Sequence, residues 1–473
     1  MSSPLPLRDS GSFRDPSGYV FMLDDVVIRT VNQSAAGDFQ AVLASQIITQ
    51  LVQKGLMIDT EVNPKLDVDV DRFLGARGEK PVFLLKHPKV EFISYPYEWT
   101  FTQLKDAALT HLKVQLVAFE HGMMLSDATP FNMQFIGGKP VHIDVLSLKP
   151  YVTGEPWGAY NQFCRLFLLP LLIEAWAGLP FQGFLRASLD GVKFSDAVKI
   201  LPKRKLYTSL NGIIHVHLQS KMVDKTSSSQ AGDQQQKAVT LGPARYKAIL
   251  LEMQAWISGL KSGRDVRSYW NEYAQVNSYQ ENMRLTKERF VSHWATRLPN
   301  GTLWDIGGNT GDYSMQAIQA GMKNAVIFDG DIDSLEKAYQ RAKTKKEPLL
   351  PVLMDLADPS PAMGWNQVER KGLNERQKPD GILALAVIHH LVIGRNLPHQ
   401  SVIAWFVNMA PQGIIEFVPK TDPMVRQMLS HREDIFADYD EVHFREYLTK
   451  IARIVNEERI PQNDRVIFSY ERK

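Results

Sequence analysis

The sequence predicts an α/β fold for residues 301–473, built on a parallel sheet of the Rossmann-like type. Three observations support this prediction: five short apolar runs recur along the segment, most of the stretches between them are long enough for a helix, and the runs end in glycine or acidic residues. Parallel strands that are covered by helices on both faces have continuous apolar sequences of this kind. The predicted strands span residues 303–306, 325–328, 349–354, 381–386 and 413–417.

Composition and charge restrict the functions that the chain can have. Its 473 residues are 44% hydrophobic and 22% charged, a globular composition with enough length for two or three domains. A formal charge of +2 gives no electrostatic reason to expect a nucleic acid partner. The single cysteine, Cys164, excludes an intrachain disulfide and a multi-cysteine zinc site. No apolar run approaches the roughly 20 residues that span a bilayer, so we expect a cytoplasmic protein.

The chain is predicted to divide at residues 223–240, a segment rich in Ser, Gln and Gly. Such a composition cannot bury enough apolar area to offset the entropy lost on ordering, so this segment is interpreted as a flexible linker or loop. Residues 1–222 are expected to form an α+β domain. Residues 241–300 are expected to form a helical cap or lid before the α/β domain of residues 301–473.

The first predicted strand of the α/β domain runs into the sequence LWDIGGNTGDYS, which suits a cofactor site. Gly307, Gly308 and Gly311 let the backbone turn tightly and approach a ligand closely, and Asn309 lies in the same turn. Asp305, just before the turn, suits the amino group of a methionine moiety and would repel a pyrophosphate. The spacing also departs from the G-x-G-x-x-G pattern, which argues against a dinucleotide.

The second predicted strand ends at Asp329, which is followed by Gly330. A carboxylate in this position can accept both hydroxyls of a ribose, as in nucleotide-binding Rossmann domains. Asp331 and Asp333 come next, and for these two the better interpretation is that they cap the following helix. Asp329 and Gly330 are therefore assigned to the cofactor site.

The third and fourth predicted strands contribute the remaining cofactor candidates. Asp355 follows the third strand and could accept a hydrogen bond from the adenine amino group, while the Leu356 amide could reach a ring nitrogen. An isolated aspartate after a strand is usually a turn former, and its place as the third acid at the third strand end is what favours a cofactor role here. Ala386, at the end of the fourth strand, completes the predicted set.

Three residues after the fourth and fifth strands are candidates for the chemistry itself. His389 and His390 follow the fourth strand, and a histidine titrates in the range needed to remove a proton from an acceptor. The alternative is that they only form a wall of the cofactor pocket, and metal binding is not expected because no further ligands lie nearby in sequence. Glu416 lies inside an apolar run, where a carboxylate needs a partner or a function. It is a second candidate base.

These residues carry a resemblance to the class I methyltransferases related to nodulation protein NoeA. The motifs are DIGGNTG from Asp305 to Gly311, DLADPSPAMGW, LALAVIHHL, EFVPKTDP and SHREDIFADY, and they cover residues 303–439, with a looser similarity along the whole chain. The resemblance implies S-adenosylmethionine as the methyl donor and leaves the acceptor undefined. Residues 386–389 read AVIH instead of the Asn-Pro-Pro-Tyr type tetrad, which makes methylation of an adenine or glutamine nitrogen less favoured.

A second constellation lies in the amino-terminal half. Asp127, Asn132 and Asp144 have the spacing of the catalytic and magnesium-binding segments of kinase-fold phosphotransferases, which they resemble. The sequence departs from that pattern because GSFRDPSGYVF is poor in glycine and Arg29 stands where a nucleotide-binding lysine is expected. The alternative is that the three polar residues only satisfy local backbone groups. We interpret the half as a kinase-like scaffold that binds or docks substrate.

An aromatic segment before the α/β domain is a candidate substrate lid. It contains Trp270, Tyr273, Tyr279 and Trp294, whose rings could also simply pack a helix on the sheet. The sequence as a whole predicts an enzyme that transfers a methyl group from S-adenosylmethionine to an oxygen, with a nitrogen less favoured, of a small molecule, sugar or peptide. The alternatives are a bifunctional kinase and methyltransferase, and a module that only senses the cofactor.

Overall fold

A computed structural model of the chain describes residues 6–66, 70–74, 78–222, 241–265, 278–430, 432–460 and 463–473. The chain divides into two compact units, of which the first comprises Met1–Asp265 with Ala362–Arg370 and the second Val266–Pro361 with Lys371–Lys473. In the described ranges no helix has the length and apolarity to cross a membrane. Nor do these ranges contain a group of three or more His, Cys, Asp or Glu side chains that could hold a metal ion.

The first unit contains an antiparallel sheet of five strands in the order β1-β2-β3-β5-β4. Two separate sheets of two strands each follow it along the chain. β6 pairs with β9 and β7 pairs with β8, both antiparallel. The bounds of the nine strands are β1 Leu7–Arg8, β2 Val20–Leu23, β3 Val26–Val31, β4 Glu61–Val62, β5 Phe83–Pro88, β6 Met123–Leu125, β7 Met133–Ile136, β8 Lys139–His142 and β9 Leu148–Pro150.

Ten described helices complete the first unit. They are α1 Ala36–Ala44, α2 Ile47–Gln53, α3 Phe101–Glu120, α4 Tyr160–Phe163, α5 Leu169–Ala177, α6 Gln182–Ala187, α7 Phe194–Ile200, α8 Lys203–Thr208, α9 Leu210–Gly212 and α10 Pro243–Gly259, with π-helical turns at Cys164–Leu168 and Ile213–Leu218. The longest of these helices, α3, begins at Phe101. Thr100 caps it, because its side chain accepts a hydrogen bond from the Gln103 amide.

The predicted cap of residues 241–300 falls partly in each of the two units. Its first helix, α10, packs on α3 of the first unit: the rings of Phe119 and Tyr246 stack with centroids 4.7 Å apart. The Gln115 side-chain amide also donates to the Tyr246 hydroxyl at 2.6 Å. The helix therefore buries its apolar side on the earlier domain instead of on the α/β sheet.

The second unit contains a sheet of seven strands in the order β12-β11-β10-β13-β14-β16-β15. Neighbours among β10 to β14 are parallel, and β16 runs antiparallel to both β14 and β15. The strand order thus reverses direction between β10 and β13. The bounds are β10 Thr302–Ile306, β11 Asn324–Asp329, β12 Leu349–Leu353, β13 Gly381–Ala384, β14 Gln412–Phe417, β15 Ala452–Arg459 and β16 Val466–Arg472.

Seven described helices accompany this sheet, and the Rossmann-like α/β fold predicted for residues 301–473 is confirmed by its parallel strands. The helices are α11 Ser278–Ala295, α12 Asp312–Gln319, α13 Ile332–Lys345, α14 Ile388–Arg395, α15 His399–Met409, α16 Pro423–Leu429 and α17 Glu441–Ile451. α11 contributes Phe290, Val291 and Trp294 to a core shared with β10, β11 and β14. Gly381 is required in β13, since a Cβ there would lie 2.6 Å from the Trp294 ring.

Candidate functional site

The glycine turn after β10 adopts a shape that only glycine tolerates. Gly307 and Gly311 have φ angles of +73° and +77°, in the left-handed region. A Cβ at Gly308 would lie 2.7 Å from the Asp305 carboxyl carbon, and one at Gly311 would lie 2.3 Å from the Ile327 side chain. The turn therefore lies directly on the ends of β10 and β11, and its amides from Gly307 to Gly311 donate to groups within the protein.

Asp305 lies beneath this turn with 2% of its surface exposed. Its carboxylate accepts a hydrogen bond of 2.7 Å from the Ser314 hydroxyl in α12. Burial raises the pKa of Asp305 to about 7, although the Ser314 bond opposes the shift. The contact that Asp305 makes is thus with Ser314, and its contact with a cofactor amino group stays a prediction.

Asp329, at the carboxyl end of β11, is held by two backbone amides. One carboxylate oxygen accepts from the Asn309 amide and the other from the Asp331 amide, both at 2.8 Å. Burial raises the pKa of Asp329 against the effect of these bonds. Because a carboxylate oxygen has a second lone pair, each remains able to accept a ribose hydroxyl. Asp331 caps α13 by accepting from the Asp333 amide, the role expected for it.

The third acid, Asp355, has a partner that the sequence did not indicate. Its side chain is 42% exposed and forms an ion pair with Arg395 at the end of α14. It also accepts from the Ala357 amide at 2.9 Å, which forms a turn around Leu356. An adenine amino group would have to share the carboxylate with Arg395, so this assignment stays a prediction.

Ala386 has an unusual backbone conformation between β13 and α14. Its φ angle of +51° lies in the left-handed region, where a non-glycine residue is strained and such strain clusters at functional sites. The next side chain, that of Val387, lies 3.1 Å or closer to the position that a Cβ of Gly307 would take. The ends of β10 and β13 therefore meet at the reversal of strand order, where α/β sheets bind their ligands.

His389 and His390 begin α14 just beyond this point, with ring centroids 4.2 Å apart. His389 is 2% exposed, and its Nδ1 atom has no hydrogen-bond partner among the described residues. Burial lowers the pKa of both rings, and the nearby charge of Arg465 lowers each further. Both histidines are therefore neutral at pH 7, the form in which imidazole can accept a proton.

Glu416 is fully buried in β14 and has two cationic partners. Lys287 of α11 donates to it at 2.6 Å, and Arg465 donates at 3.4 Å while also bonding Asp422 at 2.8 Å. Burial lowers the pKa of Lys287, and the Glu416 charge opposes that shift. Glu416 is thus a paired carboxylate, an arrangement that does not favour it as a free base. The sequence indicated that a partner was needed, yet Lys287 and Arg465 lie 129 and 49 residues away along the chain.

The polar residues singled out in the first unit are brought together. The Asn132 side-chain amide donates to the Asp127 carboxylate at 3.0 Å. Burial raises the pKa of Asp127, and the charge of Asp144 adds to the rise. Arg29 in β3 bonds Asp15 at 2.8 Å and lies 3.7 Å from Asp144. Arg29 thus lies beside Asp144, at the sequence position where the kinase pattern has a lysine.

Three of the four aromatic residues of the predicted lid have no described side chain. Trp270 and Tyr273 lie outside the described residues, and Tyr279 belongs to α11 without a described side chain. Trp294, further along α11, is 2% exposed and belongs to the core, so for this ring the packing interpretation holds.

Comparison with known proteins gives one relation along the whole chain and several over part of it. No family model matches. Nodulation protein NoeA of Rhizobium meliloti (strain 1021) is 40% identical over 473 residues, which cover 100% of this chain and 97% of that protein. Magnesium protoporphyrin IX methyltransferase of Synechocystis PCC 6803, with bound SAH, is 19% identical over 43% of this chain and 93% of that chain, with a TM-score of 0.31. N-methyltransferase NodS of Bradyrhizobium japonicum WM9, also with SAH, is 14% identical over 44% and 93%, with a TM-score of 0.32.

Proposed function

The chain belongs to the family of nodulation protein NoeA, and on that premise we propose that its second unit is a methyltransferase that uses S-adenosylmethionine. The observation that carries the proposal is the arrangement at the reversal of strand order. There the glycine turn lies over Asp305, and the Asn309 amide of the turn donates to the Asp329 carboxylate. Ala386, whose backbone is strained, follows the neighbouring strand β13. This arrangement offers a ribose acceptor beside a turn whose glycines let a ligand approach the backbone closely.

Electrostatics favour a sulfonium cofactor over a dinucleotide. The crevice has carboxylates at the ends of three adjacent strands, contributed by Asp305, Asp329 and Asp355. A pyrophosphate would meet like charge at Asp329 and at Asp305 in its ionised form, while Asp355 is already paired with Arg395. The sulfonium and amino groups of S-adenosylmethionine are positive. S-adenosylmethionine is therefore the ligand whose charge this edge of the sheet complements.

The acceptor chemistry follows from the neutral histidines. Methyl transfer needs the acceptor held in line with the sulfonium and, for a hydroxyl, the removal of one proton. His389 and His390 are the bases in this proposal, because both rings are neutral and they follow β13 at the reversal of strand order, and their lowered pKa makes each a weaker base than a free imidazole. Glu416 has a positioning role, because its ion pairs hold the cationic side chains of Lys287 and Arg465, whose charges act on the histidine rings. The acceptor is an oxygen of a small molecule, sugar or peptide.

Calorimetry and label transfer on matched variants test the proposal. Asp329→Ala should weaken S-adenosylhomocysteine binding by roughly 10- to 100-fold, because it removes charge-assisted bonds to the ribose. His389→Ala and His390→Ala should both keep that affinity for S-adenosylhomocysteine. Whichever of the two histidines is the base, its alanine variant should lose roughly 10²- to 10⁴-fold in turnover with labelled donor. Asp333→Ala, which removes a carboxylate four residues from Asp329, is the control and should bind normally. Absence of S-adenosylhomocysteine binding by the unaltered protein would refute the proposal.

A second candidate function concerns the first unit, and the cluster of Asp127, Asn132 and Asp144 favours it. Two acids and an amide at these positions could hold magnesium and orient a hydroxyl for phosphate transfer. We favour instead a kinase-like scaffold that binds the methyl acceptor, because Arg29 is already paired with Asp15 and Asp144. A guanidinium held by two carboxylates is poorly placed to neutralise a triphosphate. A bifunctional kinase and methyltransferase is the alternative.

A further inference from the structure

A short hairpin of the first unit, Ala362–Arg370, interrupts the sequence of the second unit. Its ends pair with each other: the Met363 amide donates to the Arg370 carbonyl at 2.9 Å, and the Arg370 amide donates back at 3.1 Å. Gly364 and Asn366 have φ angles of +84° and +52°, which gives the turn at its tip. The hairpin is therefore a defined local structure, named here the Arg370 hairpin.

Two contacts fix the Arg370 hairpin to the loop between β1 and β2. The Trp365 ring lies 5.2 Å from the Phe13 ring, measured between centroids. Glu369 accepts a hydrogen bond of 2.8 Å from the Arg14 guanidinium. The Glu369 carboxylate is thus bonded to Arg14, although Arg370 is its neighbour in the sequence.

Arg370 itself is held by an aromatic ring instead of a carboxylate. Its guanidinium carbon lies 4.1 Å from the centroid of the Phe131 ring. The rings of Tyr95 and Tyr97 complete a cluster with Phe131, with centroid separations of 5.5, 6.2 and 6.5 Å. In the described part of the chain no carboxylate forms an ion pair with Arg370, and its buried Nε atom has no hydrogen-bond partner.

Burying a cation without an anionic partner is costly unless the surroundings compensate for the lost water. Arg370 is half-buried, which lowers its pKa, and the Tyr95 phenol, the Glu369 carboxylate and the Tyr97 phenol oppose that effect. The electron-rich face of an aromatic ring stabilises a cation most strongly when water is excluded. The Phe131 ring beneath the guanidinium, the Glu369 carbonyl that accepts from it at 2.9 Å and the nearby Glu369 carboxylate therefore share this compensation.

The ring cluster adjoins the polar constellation of the first unit. Phe131 lies one residue before Asn132 and four residues after Asp127, in the 3-10 turn Pro130–Asn132. A ligand that occupied the rings would thus lie next to a carboxylate and an amide that are bonded to each other. Nothing in the methyltransferase assignment of the second unit accounts for this arrangement.

We propose that Tyr95, Tyr97 and Phe131 form a recognition site for an organic cation, of guanidinium or quaternary ammonium type, which Arg370 occupies from within the chain. An external cation enters only when the Arg370 hairpin leaves. The hairpin then acts as a tethered competitor, whose strength is set by its high effective concentration at the site. The proposal is independent of methyl transfer.

Chemical rescue in the full-length protein tests the site. Arg370→Ala should speed amide hydrogen exchange in residues 363–370 by roughly 3- to 30-fold, the range expected for a lost cation–π contact. Millimolar methylguanidinium should raise the melting temperature of this variant above the value in equal sodium chloride. Tetramethylammonium is the second probe, and it distinguishes a quaternary ammonium site from one specific for planar guanidinium. Arg204→Ala, at an exposed position of α8, is the control and should respond to neither probe.

Two further variants separate ring recognition from general stabilisation. Arg370→Ala with Phe131→Leu should lose the response to both cations. If that double variant folds poorly, Arg370→Lys and Arg370→Gln serve instead: the lysine variant should keep most of the protection of residues 363–370, and the glutamine variant should lose it. Equal exchange in the lysine and glutamine variants, or a cation response that survives without the Phe131 ring, would overturn the proposal.

Discussion

At the scale of single residues, the buried carboxyl of Asp305 should make stability depend on pH. Its pKa is raised from 3.8 to about 7 in the folded protein, so the folded state binds more protons than the unfolded chain between these values. The contribution of Asp305 is therefore most favourable at acid pH and is lost as pH rises through 7. Asp305→Asn should remove this slope and gain up to about 4 kcal/mol relative to the unaltered protein at pH 8.

Melting temperatures of both proteins across a pH series provide the measurement, because other titrating groups cancel in the difference. The asparagine keeps an oxygen that can accept from the Ser314 hydroxyl, which limits other changes. Ser314→Ala is the complementary control: it removes a bond that opposes the pKa rise, and should extend the pH-dependent range to higher pH. A difference curve that is flat from pH 4 to 8 would contradict the raised pKa.

The sequence predicted which of these residues would gather, and it failed where a partner was remote. Asp305, Gly307 and Asp329 could be assigned because strand ends of a parallel sheet must meet at one edge. Contacts between residues that are close in sequence could also be predicted, such as the helix cap formed by Asp331. The ion pair of Asp355 with Arg395 was not, since it depends on the packing of α14 and involves no sequence pattern.

At the scale of elements, a buried ion pair joins α11 to β14. Removing Lys287 leaves the Glu416 carboxylate with Arg465 alone at 3.4 Å, in a fully buried position. Lys287→Met should therefore destabilise the second unit by about 3 kcal/mol. The double variant with Glu416→Gln should recover part of that loss, because the uncompensated charge is gone.

Thermal unfolding monitored through the second unit gives the measurement. Arg289→Met is the matched control, since Arg289 lies on the same helix, is 71% exposed and pairs with Glu458 at the surface. A surface pair of this kind contributes less than about 1 kcal/mol. If Lys287→Met and Arg289→Met had equal effects, the pair with Glu416 would not be what fixes α11 on the sheet.

The elements themselves were predictable to different extents. The five parallel strands have apolar sequences that only a doubly covered sheet explains, and all five are present. Two long antiparallel strands, Ala452–Arg459 and Val466–Arg472, were missed, because β15 is a charged edge strand with few apolar residues. The helix Pro243–Gly259 was expected in a helical cap and packs on α3, since amphipathicity shows that a face is buried and not against which partner.

At the scale of the whole molecule, the relation to NoeA extends over both units, so the first unit belongs to the family's common architecture. Its sheet and strand pairs bring Asp127, Asn132 and Asp144 together from separate segments. The sequence predicted that grouping from spacing alone. It did not predict the Arg370 hairpin, because nothing in the sequence around residues 362–370 indicates that they leave the α/β unit.

The role of the first unit can be decided in the full-length protein. If it binds the methyl acceptor, Asp127→Ala should lower kcat/KM for methyl transfer by roughly 10-fold or more, since a half-buried hydrogen-bonding carboxylate is lost. S-adenosylhomocysteine affinity should not change, and magnesium with ATP should leave the melting temperature unaltered because Arg29 is already paired. Asp38→Ala, at an exposed position of α1, is the control. A rise in melting temperature with magnesium and ATP, together with phosphate on the acceptor, would instead establish the bifunctional alternative.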